Sequence, residues 1–97
     1  MDFQMIKKPS PGVKRILESR TVFKELVQEK GYDTIGLVQG KLTEMLKACD
    51  IAEKTSNVSV LEIKGVCPQH FTMIAIFGDT ASVTEAMDSI KIQFERG

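Results

Sequence analysis

The chain has 97 residues, 42% of them hydrophobic and 27% charged, which is enough for one hydrophobic core and too little for a multidomain enzyme. Thirteen Lys and Arg balance thirteen Asp and Glu, so the basic surplus that phosphate neutralisation requires is missing and no nucleic acid partner is expected. No apolar run approaches the ~20 residues that span a bilayer, and Met1-Asp2-Phe3-Gln4 is not the start of a targeting segment. A cytosolic protein with no membrane partner is the expectation.

Pro9-Ser10-Pro11-Gly12 is the strongest turn cluster. It divides a single domain over residues 1–97 into an N-terminal arm and turn (1–12), in which Asp2 to Lys8 can form a strand, and a core (13–97). From Val13 to Glu18 apolar and polar residues alternate without a clean face, which predicts a strand, with helix as the alternative. Val22, Phe23, Leu26 and Val27 then recur at helical spacing between Thr21, a possible cap, and Gly31, a possible stop.

Asp33 to Gln39 is a compact apolar strand segment ending at Gly40. Beyond it Leu42, Met45, Leu46, Cys49 and Ala52 trace one face of a helix. Val58 to Lys64 is β-branched and strand-forming, and Phe71 to Phe77 is apolar on both alternating faces, as a central strand should be. Between them Gly65-Val66-Cys67-Pro68-Gln69-His70 interrupts the ladder, which predicts a hairpin with a wide tip. Asp79 stands where it can cap a last helix whose buried face is Val83, Ala86, Met87, Ile90 and Phe94. The order β-α-β-α-β-β-α predicts an α+β domain with helices packed on a four-stranded sheet.

From Thr34 to Ser89, 56 of the 97 residues, the sequence resembles a bacterial microcompartment (BMC) shell domain. The likeness rests on Thr34-Ile-Gly-Leu-Val38, on Ala48-Cys-Asp-Ile-Ala52 followed by Lys54 and Val58, and on Phe77-Gly-Asp79 with Val83 and Ala86. Common members begin at the strand matching Ile35 and place another strand after the last helix. Here about 30 residues precede Ile35, and the stretch from Ile6 to Ser19 is similar to circularly permuted members. That resemblance implies that strand Val13 to Glu18 lies in the sheet beside the Ile35 strand, while the short arm Phe3 to Lys8 projects from one face of the assembly.

The family resemblance also implies a cyclic hexamer that assembles with other microcompartment shell proteins, the hairpin tips lining a central pore. A Gly-Xaa-Cys-Pro tip resembles the permuted shell proteins of glycyl-radical compartments, the GrpU type, for which the implied cofactor is an iron–sulfur cluster, 4Fe–4S, serving electron or cluster transfer across the shell. Cys67 is the implied ligand, with Gly65 and Pro68 shaping the tip and His70 a possible second donor. One chain offers one tip thiolate where a cluster takes four, so the cluster would be shared between chains. Lys54 has two readings. It can interact with the last carbonyls of its helix, or, as the resemblance implies, run along the assembly edge and meet its counterpart across a two-fold axis.

Alternatives stay open for the tip. A pore passing small polar metabolites without a cluster would have the same sequence pattern, and Cys67-Pro-Gln-His70 also fits a small thiol-redox or ligand-sensing domain. The spacing of Cys49 assigns it to the helix core as a small hydrophobe. A Gly-rich phosphate loop, paired metal-ligand spacing and a Ser-His-Asp arrangement are all missing from the sequence, so no enzymatic function is expected.

Overall fold

The computed structural model describes residues 1–21, 32–64 and 71–95. Its elements, in chain order, are β1 (Asp2–Lys7), α1 (Pro11–Ser19), β2 (Thr34–Lys41), α2 (Leu42–Thr55), β3 (Ser59–Ile63), β4 (Phe71–Gly78) and α3 (Thr80–Glu95). The four strands form one antiparallel sheet in the order β1-β2-β4-β3. β4 is the central apolar strand that its sequence predicts, with Ile74, Ala75, Ile76 and Phe77 all buried.

Side-chain alternation along the strands divides the core into two layers. On one face Val38, Ile74 and Ile76 meet Met45, Ala48, Ile51 and Ala52 of α2 and Val83, Ala86, Met87 and Ile90 of α3. On the other, Ile35, Leu61, Ile63, Ala75 and Phe77 pack with Leu17 of α1 and with Tyr32, whose ring meets Phe77 edge-on at 5.0 Å. Gly36 lets α3 approach β2. A Cβ there would stand 2.8 Å from Met87 Sδ and 3.1 Å from Val83 Cγ1. The buried Thr34 hydroxyl shares a 2.7 Å hydrogen bond with Thr80, tying the start of β2 to the start of α3.

Three expectations are corrected. Val13 to Glu18 is helical, not a strand: Ser10 is the N-cap, its Oγ accepting from the Val13 amide at 3.3 Å, and Pro11 occupies the first turn, where its missing N–H costs nothing. Val13 and Leu17 then share the inward face, while Ile16 is 58% exposed, so the apparent alternation comes from an unburied isoleucine. The strand beside Ile35 is instead the arm itself. β1 pairs antiparallel with β2, Ile6 opposite Ile35 and Phe3 opposite Val38, and its Phe3 and Met5 pack against the α2/α3 core, so it does not project from the sheet. It ends at Lys8, whose φ of 49° turns the chain while its amide donates to the Asp33 carbonyl.

Finally, α2 is rotated from its predicted orientation. Met45, Ala48, Ile51 and Ala52 face the core, whereas Leu42 and Leu46 are 49% and 65% exposed. The helix predicted over Val22 to Val27 lies outside the described residues.

Candidate functional site at the hairpin end

β3 and β4 are antiparallel neighbours with Ile63 opposite Met73, so the chain between them turns at one end of the sheet. Gly65, Cys67, Pro68 and His70, the residues singled out at that turn, lie outside the described residues. The structure does define what they are mounted on. Phe71, the first residue of β4, is opposite Lys41, the last of β2, and α2 begins at the next residue. Glu44 fixes that junction, its carboxylate accepting the Lys41 amide at 3.0 Å.

Two contacts hold the hairpin mouth. Thr72 donates its hydroxyl to Glu62 Oε2 at 3.0 Å, linking the two strands just below the turn. At the outer side of β3, Lys64 donates its amide to the Arg20 carbonyl at 2.7 Å, and the Arg20 guanidinium donates to the Lys64 carbonyl at 3.3 Å. Both backbone groups of the residue preceding the tip are thereby satisfied by the residue that closes α1. Arg20 and Lys64 are 44 positions apart, and no spacing in the sequence joins them. Only the packing of α1 on the β3 side of the sheet does.

α2 starts at the hairpin end and returns over the sheet to Ser56, after which β3 begins at Ser59, opposite Phe77 at the far end. Lys54, in the last turn of α2, therefore stands roughly 20 Å along the helix from its start beside Lys41. It pairs with Asp50 at 3.1 Å, both side chains well exposed, so its ammonium is bridged one turn back along its own helix and is accessible to a neighbour.

Cys49 is half-buried at the margin of the core and donates its thiol to Glu53 Oε1 at 3.2 Å. Burial, then the Glu53 bond and the charges of Glu53 and Asp50, push it up to about 11, which keeps it a neutral thiol at pH 7 and a poor metal ligand. Asp79 caps α3 as its position predicts. Its Oδ1 accepts the Ser82 amide at 2.8 Å and Oδ2 the Ser82 hydroxyl at 3.0 Å, and these bonds hold its carboxyl below the usual carboxylate range. Among the described residues no group of three His, Cys, Asp or Glu could hold a metal ion, and no helix is long and apolar enough to cross a membrane. A cavity of about 320 Å³ between α2 and α3 is lined by Lys47, Ile51, Gln93 and Phe94.

The sheet thus carries α2 and α3 on one face, with the connection from β3 to β4 at one end and the exposed Lys54 at the other. The BMC domain model matches residues 34–97. The chain belongs to the BMC domain family and is a structural component of a microcompartment shell, not an enzyme. It is similar to the ligand-free GrpU microcompartment shell protein from Clostridiales bacterium 1_7_47FAA, at 40% identity over 94% of this chain and 88% of that one, with a TM-score of 0.71. The ligand-free GrpU shell protein from Pectobacterium wasabiae is 31% identical over 93% of this chain and 99% of that one, with a TM-score of 0.71. The fused permuted hexameric shell protein MSM0275 from the RMM microcompartment shares the fold, at 17% identity over 97% of this chain and 45% of that one, with a TM-score of 0.71. No curated protein matches the chain. The family model starts at β2, and the sheet position beside β2 is filled by β1 from ahead of it, which is the permuted arrangement.

Proposed function

We propose that the protein forms a cyclic hexamer tiling a microcompartment shell in the cytoplasm beside other shell proteins, its hairpin tips gathered about a central pore where Cys67 thiolates hold an iron–sulfur cluster. The observation that carries this reading is the topology: the segment containing Cys67 leaves one end of the sheet, and Lys54 stands at the opposite end. In a ring with the hairpin ends innermost, each copy would bring one thiol toward the axis and one cation toward the rim.

The donor set fits a shared cluster and no single-chain cluster. Cys49 is held as a neutral thiol on α2, leaving Cys67 as the thiolate that each chain can give, while a cluster takes four. His70 is a second possible donor, and tip amides around Gly65 would raise the cluster potential by donating to its sulfurs, with Pro68 removing one such donor. Once bound, the cluster would accept and release single electrons, which suits electron or cluster transfer across the wall of a glycyl-radical compartment. The test is anaerobic iron–sulfur reconstitution with sedimentation, absorption and EPR spectra, and iron per protomer. A brown, EPR-active ring supports the reading. A colourless ring makes this a pore for small polar metabolites, and a monomer removes both.

A further inference from the structure

We propose that the cavity between α2 and α3 is a binding site for a small carboxylate with an apolar body, in which the Lys47 ammonium takes the carboxylate and Ile51 and Phe94 take the hydrocarbon. This goes beyond the shell and pore reading above and depends on neither part of it.

α2 starts at the hairpin end, whereas α3 starts just beyond Gly78 at the opposite end of the sheet. The two helices therefore run antiparallel, and the last turn of α3 meets the middle of α2. Lys47 and Ile51, one helical turn apart, form one wall of the cavity, and Gln93 and Phe94 form the other. Its volume of about 320 Å³ falls at the lower end of the range of small-molecule sites, roughly 300–1,000 Å³.

The lining divides by chemistry. Ile51 is 3% exposed and belongs to the core, against which Phe94 packs half-buried, so the floor is apolar and held in place. Lys47 and Gln93 are exposed and stand at the mouth. Among the described residues no acid lines the cavity. A carboxylate entering it meets one cation and one amide that can donate, without a like charge.

Lys47 is left available by its own helix. The acids three or four positions from it are Glu44 and Asp50, and both are engaged elsewhere. Glu44 accepts the Lys41 amide at 3.0 Å, and Asp50 pairs with Lys54 at 3.1 Å. Among the described residues Lys47 itself forms no ion pair. A neutral ligand leaves that ammonium unpaired and a cationic one is repelled by it, so the charge selects an anion. The apolar floor then selects an anion that carries a hydrocarbon chain over a compact one.

The test is titration of hexanoate into the full chain carrying isotope-labelled isoleucine methyl groups, followed by NMR. Hexanol, hexylammonium and acetate serve as the neutral, cationic and chainless counterparts. Expected is a saturable shift of the Ile51 δ-methyl with hexanoate, and binding weaker by about tenfold or more for each counterpart. Lys47→Gln should weaken hexanoate by a similar factor, and Lys47→Arg should keep it. Lys47 is exposed, and Gln and Arg both suit a helix, so the fold should hold, which far-UV circular dichroism checks. An Ile51 methyl that hexanoate does not move overturns the site. Hexanoate binding unchanged in Lys47→Gln, or hexylammonium binding as tightly, overturns the role of Lys47 and with it the carboxylate. Acetate binding as tightly as hexanoate overturns the role of the apolar floor.

Discussion

Arg20 and Lys64 hold each other at both backbone and side chain: the Lys64 amide donates to the Arg20 carbonyl at 2.7 Å and the Arg20 guanidinium to the Lys64 carbonyl at 3.3 Å. The end of α1 is thus fastened to the residue from which the hairpin tip departs. Arg20→Ala removes the guanidinium bond and keeps the backbone one, so the expected cost is about 0.5–1.5 kcal/mol by denaturant unfolding. The local sign is faster hydrogen exchange at the Lys64 amide than at β4 amides such as Ala75. An unchanged Lys64 exchange rate would mean that the side chain contributes nothing to the mouth.

Gly36 and Gly12 should answer oppositely to enlargement. At Gly36 the new methyl would fall 2.8 Å from Met87 Sδ and 3.1 Å from Val83 Cγ1, both buried, so Gly36→Val is expected to lose about 1–3 kcal/mol through overpacking, read as a lower Tm. Gly12 lies in the first turn of α1 with its nearest would-be neighbours at 3.8 and 3.9 Å. Gly12→Ala is therefore expected to be neutral or to raise Tm, since Ala suits a helix better than Gly.

The two glycines also show what the sequence could and could not convey. Strands β2, β3 and β4, the hairpin, the Asp79 cap and the inward face of α3 follow from local pattern, because β2 and β4 are buried on both faces and read as continuous apolar runs, while α3 buries a single stripe at helical spacing. The N-terminal region misleads because exposed Ile16 blurs the helical period, although Ser10-Pro11 already forms a cap followed by a first-turn proline. α2 misleads for a related reason. Its apolar residues span more of the helix than one core can cover, so Leu42 and Leu46 read as core until the fold places them outside. Arg20, Glu62 and Thr72 carry no local signal at all, and they meet only through topology.

Asp79 gives a pH signature. Its carboxyl is held below the usual carboxylate range by the Ser82 amide and hydroxyl. A depressed folded pKa adds stability that is present above the unfolded value, near ~4, and is lost as pH falls through the lower folded value. Asp79→Ala should therefore lower Tm at neutral pH, and the gap from the unaltered protein should close as pH approaches ~2. A gap that is constant with pH would assign the loss to something other than the charged cap.

Lys54→Asp is expected to leave each ring folded and to block the joining of rings into sheets. The native intramolecular pair with Asp50 is solvent-exposed on both sides, so breaking it should cost little stability. The reversal sets a second carboxylate beside Asp50 at the far end from the tip, where like charges would meet across a shared edge. Electron microscopy checks this directly, and sheets or tubes formed normally by the variant would return Lys54 to the role of a helix-end charge.

The two cysteines should separate structure from cofactor. Cys49 is half-buried, bonded to Glu53 and pushed up to about 11. Cys49→Ala should keep any bound cluster and cost about 1 kcal/mol of packing. Cys67 lies between Gly65 and Pro68 in the segment that leaves the sheet at the hairpin end, and each copy contributes one such thiol. Replacing it removes every ligand of that kind from a symmetric assembly at once, so Cys67→Ser should abolish the visible absorbance and iron content of reconstituted protein, not reduce them by a fraction. The ring should persist, because a Cys to Ser change in a connecting segment usually costs little stability. Full iron retention in Cys67→Ser would contradict the pore-cluster reading. Disassembly of the ring would show instead that Cys67 holds copies together.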